Sequence, residues 1–379
     1  MRYALGCLTL VLTLAAGCTP SVPRDRVTFA VLAGVYYSAT PGAAVDGAVA
    51  EDADALLRKA VADLNAAKDL DFVLVGGDLL ARADGLSLDR AAAILGDLRA
   101  PYYVILGEHD GPAPAVSAVE PDKTGADKTG ATAAPFAAVP RPTTTAANGA
   151  AVAPVSPVAP APPVAPAALS RTAVTWAFQG RGPSGPQGYW SREVLPNLVV
   201  VGLDTVRSGG RAGRIDARQL AWLEETLAAN AGKAVLILGY HGLVPVHPLD
   251  EGSSWRHLMV DNAAAVRQAI ERHRNVLMVL STNHHVAGGQ VSGQTVYLSS
   301  PSVAVWPLAY HLVRLTPREA EAVWVPLAGE DLARRAQERL LGSASLRGVF
   351  PAGEDGDTAC VRFFGGDKMK TYPLPAIRP

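Results

Sequence analysis

Six short segments of this chain are almost continuously apolar, and five of them run into residues that bind metals or move protons. The segments are Val27–Leu32, Phe72–Val75, Tyr102–Leu106, Asn197–Leu203, Ala234–Leu238 and Val276–Leu280. All but the first lead into polar residues: Asp78, Glu108-His109-Asp110, Asp204, Tyr240-His241 and Asn283-His284-His285. A strand apolar along its whole length buries both faces, which happens when a sheet is covered on each side. Between the segments, apolar residues recur at helical spacing over 46–68, 86–98, 216–229 and 261–272, with a further such stretch at 330–341. Strands alternating with helices predict βαβ units and an α/β layered fold. Val296–Ser299 and His311–Leu315 read as two more strands, and the tail from Gly342 as loop-rich.

Composition narrows the function classes. With 34 Lys and Arg against 35 Asp and Glu, the chain lacks the basic stripe of a nucleic-acid binder, so no nucleic-acid partner is expected. Apolar residues make up 49 %, enough to bury a core and exclude wholesale disorder. Residues 111–168 are different: they hold 12 of the 29 prolines, lack an apolar period, and repeat Asp122–Ala126 as Asp127–Ala131. Such a stretch cannot bury enough surface to offset its entropy and reads as a long disordered insertion. Three cysteines are too few for a disulfide framework, and Cys360 reads as a buried small hydrophobe. No Walker loop, Gly-x-Ser-x-Gly elbow or dinucleotide fingerprint is present.

The first residues read as an address. Arg2 precedes an apolar run from Ala4 to Ala15, then Ala15-Ala16-Gly17 and Cys18. The run is too short to span a bilayer and has the parts of a secretory signal. Its end resembles a bacterial lipobox, which implies a lipid on Cys18 and, with Thr19 next, an outer-membrane anchor facing the periplasm.

In layered α/β folds, sites collect beyond the carboxyl ends of strands, and carboxylate with imidazole suits Zn, Mn or Fe. The order of the strand-end residues resembles the calcineurin-like metallophosphoesterase family, nearest its cyclic-nucleotide-phosphodiesterase-like branch. Gly77-Asp78 matches its Gly-Asp motif. Gly107-Glu108-His109-Asp110 matches Gly-Asn-His-Asp with Glu for Asn. Gly239-Tyr240-His241 matches its single His, and Asn283-His284-His285 aligns with its closing Gly-His-x-His. The resemblance covers about residues 27–316 without the insertion. It implies an α/β/β/α sandwich of two sheets between helices. It divides the chain into a signal (1–17), a tether (18–26), a first part (27–110), the insertion (111–168), a second part (169–328) and a C-terminal helix with its tail (329–379).

The resemblance implies roles as well. The family's first metal is held by the Asp and His of an opening Asp-x-His motif, the Gly-Asp carboxylate and the last His. Here Gly34 and Tyr36 stand at the opening positions, leaving Asp78 and His285. For the second metal Asp78, Glu108 and His241 remain, with Asn283 or His284 as a fourth ligand, which resembles a mononuclear open site. His109, with Asp110 behind it, is the expected general acid. Tyr36 either donates to a phosphate oxygen or fills the pocket, and His284 is a second candidate substrate contact. Arg207, Arg211 and Arg214 read as a solvated turn, and His247, His257, His273 and His311 as surface or interface residues. Two functions stay open. One is an envelope phosphoesterase acting on a small phosphoester with one divalent ion (Zn, Mn or Fe) rather than two. The other is an inactive relative, with or without an ion, that binds a ligand or a protein partner of unspecified kind.

Overall fold

β1 (Val27–Leu32) is buried at every residue, and its side chains divide between two cores. Val27, Phe29 and Val31 face one core while Ala30 and Leu32 face another, the period-2 alternation of a strand. The computed structural model describes residues 25–112, 168–207, 212–247, 250, 253–346, 349, 353–364 and 369–374. Cys7, Cys18, Arg211 and nearly all of the 111–168 insertion lie outside the described residues.

The first sheet continues through α1 (Ala53–Ala66), β2 (Phe72–Gly76), α2 (Gly85–Gly96) and β3 (Tyr102–Ile105). Then come α3 (Arg171–Ala177), β4 (Trp190–Leu195), β5 (Leu198–Gly202), α4 (Ala217–Ala229), β6 (Ala234–Gly239), α5 (Ala263–Glu271) and β7 (Val276–Ser281). The chain closes with β8 (Gly288–Ser292), β9 (Thr295–Ser299), β10 (Ala309–Leu315), β11 (Glu319–Pro326), α6 (Glu330–Leu341), α7 (Gly356–Phe364) and β12 (Met369–Pro373). The sheets run β12-β11-β10-β1-β2-β3 and β4-β5-β6-β7-β9-β8. β1, β2 and β3 are parallel, as are β5, β6, β7 and β9. One core lies between the sheets (Phe29, Leu74, Leu236, Leu298), one under α1 and α2 (Leu32, Leu57, Val75), and one under α4 and α5 (Val201, Leu223, Ile270). The architecture is the layered α/β fold that the alternation predicts, in the α/β/β/α form that the resemblance implies.

The tail differs from the loop-rich expectation. α7 lies in it, and β12 pairs with β11 at the edge of the first sheet. β11 itself escapes a sequence reading because Glu-Ala-Glu-Ala favours helix by propensity, and only antiparallel pairing with β10 makes it a strand. Leu340, Leu346, Cys360, Phe363 and Phe364 form a fourth core with Tyr36, Trp255 and Val286. Cys360 is a free, buried thiol, as its composition context predicts. Two histidines expected near the surface are inside: His311 lies in the sandwich beside Ser300, with burial lowering it to about 3, and His247 stacks on Trp255. Both sit on elements whose neighbours bury them, which single-residue polarity cannot reveal.

Two described residues near the ends of the insertion, Gly111 and Arg171, touch. A Cβ on Gly111 would lie 2.8 Å from the Arg171 Cα, so the chain leaves and rejoins the domain at one point.

Candidate active site at the strand ends

The parallel strands of both sheets deliver their ends to one rim. β2 ends in Gly76-Gly77-Asp78. Gly77 has φ +93° and packs on the Gly107 backbone, where a Cβ would fall 2.6 Å from the amide nitrogen. Asp78 follows in the left-handed region, φ +50°. Tyr36 and His285 share that conformation, so three of the five positive-φ non-glycine residues described are at this rim. Such strain clusters where the surroundings over-determine a functional geometry.

Asp78 is buried at the centre. Its Oδ2 accepts from the Tyr240 hydroxyl at 2.6 Å and from the Tyr36 hydroxyl at 2.9 Å, and its Oδ1 accepts from the His109 amide at 3.0 Å. The Tyr36 hydroxyl also stands 3.4 Å from His285 Nε2. Burial, then the Asp78 carboxylate, push both phenols well above their ordinary value, so they remain donors. Burial lowers His285 to about 4 and keeps it neutral, although Asp78 opposes that.

His109 is half-buried and donates from Nδ1 to the Ala81 carbonyl at 2.9 Å. Burial works against its charge, but Asp78, the Ala81 carbonyl, Asp110 and Glu108 outweigh it and raise its pKa. Asp110 does not orient the ring, contrary to the sequence expectation. Its two oxygens accept from the Leu80 amide (2.9 Å) and the Gly107 amide (2.8 Å), pinning the turn after β3 to the turn after β2. His241 follows β6. Its Nδ1 is 2.7 Å from the Thr205 hydroxyl and its Nε2 is 3.4 Å from Glu108 Oε1. After β7, Asn283 donates its amide to the Tyr240 carbonyl, and His284 turns away with Nε2 2.9 Å from Asp250 Oδ1. That approach is close but off hydrogen-bond alignment.

A cavity of about 290 Å³ opens here. Tyr36, Asp78, Glu108, His109, Asn283, His284 and His285 all line it, whereas Asp110, Asp204 and His241 do not. Of the outlying histidines His257 reaches it. Arg207 is instead paired with Asp261 at 2.7 Å. Five participants escaped the sequence reading. Tyr240 sits one residue before a flagged His, the only signal it offers. Trp255, Leu340 and Phe363 line the cavity as well, Leu340 from the helix read at 330–341, Phe363 from the tail read as loop-rich and Trp255 from a segment given no reading. Arg171, 3 % exposed, bonds the carbonyls of Gly107 (2.7 Å) and Leu106 (3.0 Å) and the Asp204 carboxylate (2.7 Å), and so supports the turn that carries His109.

No family model and no curated protein matches the chain. Solved structures do match. A dimetal phosphatase from Danio rerio superposes with a TM-score of 0.52 at 14 % identity, over 80 % of this chain and 96 % of that one. The fold is the calcineurin-like metallophosphoesterase fold. PhoD (TM-score 0.44, 13 % identity, 80 % of this chain and 66 % of that one) lies further off. So does GAP50, the anchor in the inner membrane complex of Plasmodium (0.43, 10 %, 88 % and 99 %).

The metallophosphoesterase fold implies a metal centre, and the side chains test whether one fits. At the first-metal side Gly34 brings no carboxylate and has no room for one: a Cβ there would lie 2.5 Å from Ser302 Oγ and 2.7 Å from His285 Nε2. The Tyr36 hydroxyl stands between the two ligands that remain, Asp78 and His285. At the second-metal side Glu108 and His241 face each other, but the Asp78 oxygens are already engaged by two hydroxyls and an amide, and His284 is turned to Asp250. Among the described residues, no group of three or more His, Cys, Asp or Glu side chains converges in a metal-holding arrangement. Asp78, Glu108, His241, His285 and Asn283 share one neighbourhood without forming an open ligand set, and the two-ion centre does not fit them.

Proposed function

We propose that this chain is a cell-envelope lipoprotein that keeps the metallophosphoesterase fold as a ligand-binding scaffold without two-metal hydrolysis. What supports the reading is the Tyr36 hydroxyl, 2.9 Å from Asp78 and 3.4 Å from His285. In a two-metal site, a pair of ions clamps the ester oxygens and generates the nucleophile. A buried tyrosine that donates to the would-be bridging carboxylate has to be displaced before an ion can bind. That displacement leaves a buried donor without its acceptor, a loss of ~1–3 kcal/mol. The second reading is hydrolysis at a mononuclear centre, and the observation favouring it is the Glu108–His241 pair beside a His109 held above its ordinary pKa.

The test uses the full chain in detergent. It is offered Zn²⁺, Mn²⁺ and Fe²⁺ in turn, desalted, and analysed for bound metal. A phosphodiester and a phosphomonoester are then assayed beside Asp78→Ala. Well under one ion per chain, with no turnover above the Asp78→Ala background, is expected. One retained ion per chain with turnover abolished in Asp78→Ala would establish the mononuclear hydrolase instead. The envelope location rests on Cys18. Detergent but not salt should release the protein from the outer-membrane fraction, and Cys18→Ser should free it into the periplasm.

A further inference from the structure

One side of the cavity comes from the C-terminal part of the chain. Ser343, Ser345 and Leu346, in the turn after α6, line it together with Phe363 of α7. The turn and α7 are fastened differently from the strands. The backbone–backbone hydrogen bonds described for them run back to α6 or stay inside the same stretch. The Ser343 amide donates to the Leu340 carbonyl at 3.1 Å, Leu346 to Ser343 at 3.3 Å, and Ala359 to Asp355 at 2.9 Å.

Side chains hold this wall to the rest of the domain. Asp46, which lines the cavity as well, accepts from the Ser343 hydroxyl at 2.7 Å and from the amides of Ala344 at 3.0 Å and Ser345 at 2.8 Å. Burial works against its charge, but the bonds from Ser345, Ser343 and Ala344 outweigh it and lower its pKa to about 2, so this contact stays charged throughout the neutral range. At α7, His247 donates from Nε2 to the Arg362 carbonyl at 3.0 Å, and Cys360, Phe363 and Phe364 enter the core that holds Tyr36 and Trp255. The flanking elements have anchors of their own: Arg335 ties α6 to Asp52 at 3.1 Å, and β12 is paired with β11. A segment held by side chains between two fixed ends opens at the cost of those contacts and leaves the sheet ladders intact.

We propose that the turn 343–346 and α7 form a strap that gates the cavity. The strap lifts as a unit while the sandwich stays folded, and Asp46 is the clasp that holds it shut. Because the clasp joins two parts of the cavity wall, its release widens the entrance to the side chains within. Such a gate applies to the metal-free and the mononuclear readings alike.

The experiment is covalent modification of the full chain in detergent, parent and Asp46→Asn, read peptide by peptide by mass spectrometry. N-ethylmaleimide reports on the strap through Cys360, which is buried on α7 and raised by that burial to about 11, so that it reacts only when the strap opens. Diethyl pyrocarbonate reports on the cavity through His109, with His273, which does not line it, as the reference. Asp46→Asn should speed Cys360 modification roughly tenfold, the worth of one hydrogen bond to a charged group. His109 modification should rise with it, while His273 keeps its rate and amide exchange in β1 stays as slow as in the parent. In the parent, the Cys360 rate should rise with urea far less steeply than global unfolding does. Four results would each overturn the proposal: a Cys360 rate that tracks global unfolding in urea, an unchanged Cys360 rate in Asp46→Asn, β1 exchange accelerated by the same factor, or a faster Cys360 with His109 unmoved.

Discussion

Gly34→Ala measures how tightly the opening of the site is closed. Gly34 has φ +53°, and a Cβ there lands 2.5 Å from Ser302 Oγ and 2.7 Å from His285 Nε2. The left-handed backbone costs a residue with a Cβ ~1–2 kcal/mol. Forcing packed neighbours aside costs a further ~1–3 kcal/mol. Neither neighbour moves freely. The Ser302 hydroxyl donates to the Gly34 carbonyl at 2.7 Å and accepts from the Val305 amide at 3.0 Å, and the His285 ring packs against the edge-on Tyr36 ring with centroids 5.7 Å apart. The sum is ~2–5 kcal/mol, or roughly 4–15 °C in melting temperature for a domain of this size. The assay is thermal unfolding by circular dichroism, with urea unfolding as a check. A variant melting within about 2 °C of the parent would show that this corner holds a side chain, and the argument that no motif-one carboxylate fits here would fail.

Tyr36→Phe removes one of three hydrogen bonds to the buried Asp78, so it should cost ~1–2 kcal/mol in urea unfolding while raising metal retention above the parent's; unchanged metal retention would mean the hydroxyl is not what keeps ions out. Arg171→Ala strips Asp204 of its ion-pair partner and two carbonyls of their donor, with an expected loss of ~3–5 kcal/mol read from the same unfolding curves. His285 and His311, held by burial at about 4 and about 3, are neutral when folded and protonate when unfolded below about 6.5. Their stability contribution is therefore full above that value and lost as the pH falls, with a slope of ~2.7 kcal/mol per pH unit between about 6 and 4. His109, raised above its ordinary value, is protonated in both states across that window and adds no slope. His311→Gln should halve the slope; an unchanged slope would refute the assignment.

The sandwich and its rim were legible because each apolar segment buries both faces and leaves its last residue to the site. Asp78, His109, His241 and His285 were readable for that reason. The meaning of Tyr36 was not. A tyrosine in a histidine's place is consistent with substrate contact or with filling, and only its position between Asp78 and His285 distinguishes them. Tyr240 and Arg171 carry no local pattern. Each acts on a residue far along the chain, Tyr240 on Asp78 and Arg171 on Leu106, Gly107 and Asp204, and such pairings exist only after folding. Asp110 shows the converse error. Adjacency to His109 suggested a partnership, but its carboxylate faces backbone amides because the turn directs it inward.

The contact between Gly111 and Arg171 has a consequence for how such a chain can change. Because the folded domain itself brings these two residues together, the closure entropy of whatever joins them rises only slowly with its length. The position is therefore a splice port: long, short or foreign segments can be exchanged there at little cost to the fold. Arg171, at the downstream lip, also buttresses the turn bearing Glu108 and His109. A segment that ordered itself on a surface or a partner would pull first on Leu169, whose amide donates to the Ala83 carbonyl at 2.8 Å, and only then on that arginine and the mouth of the cavity.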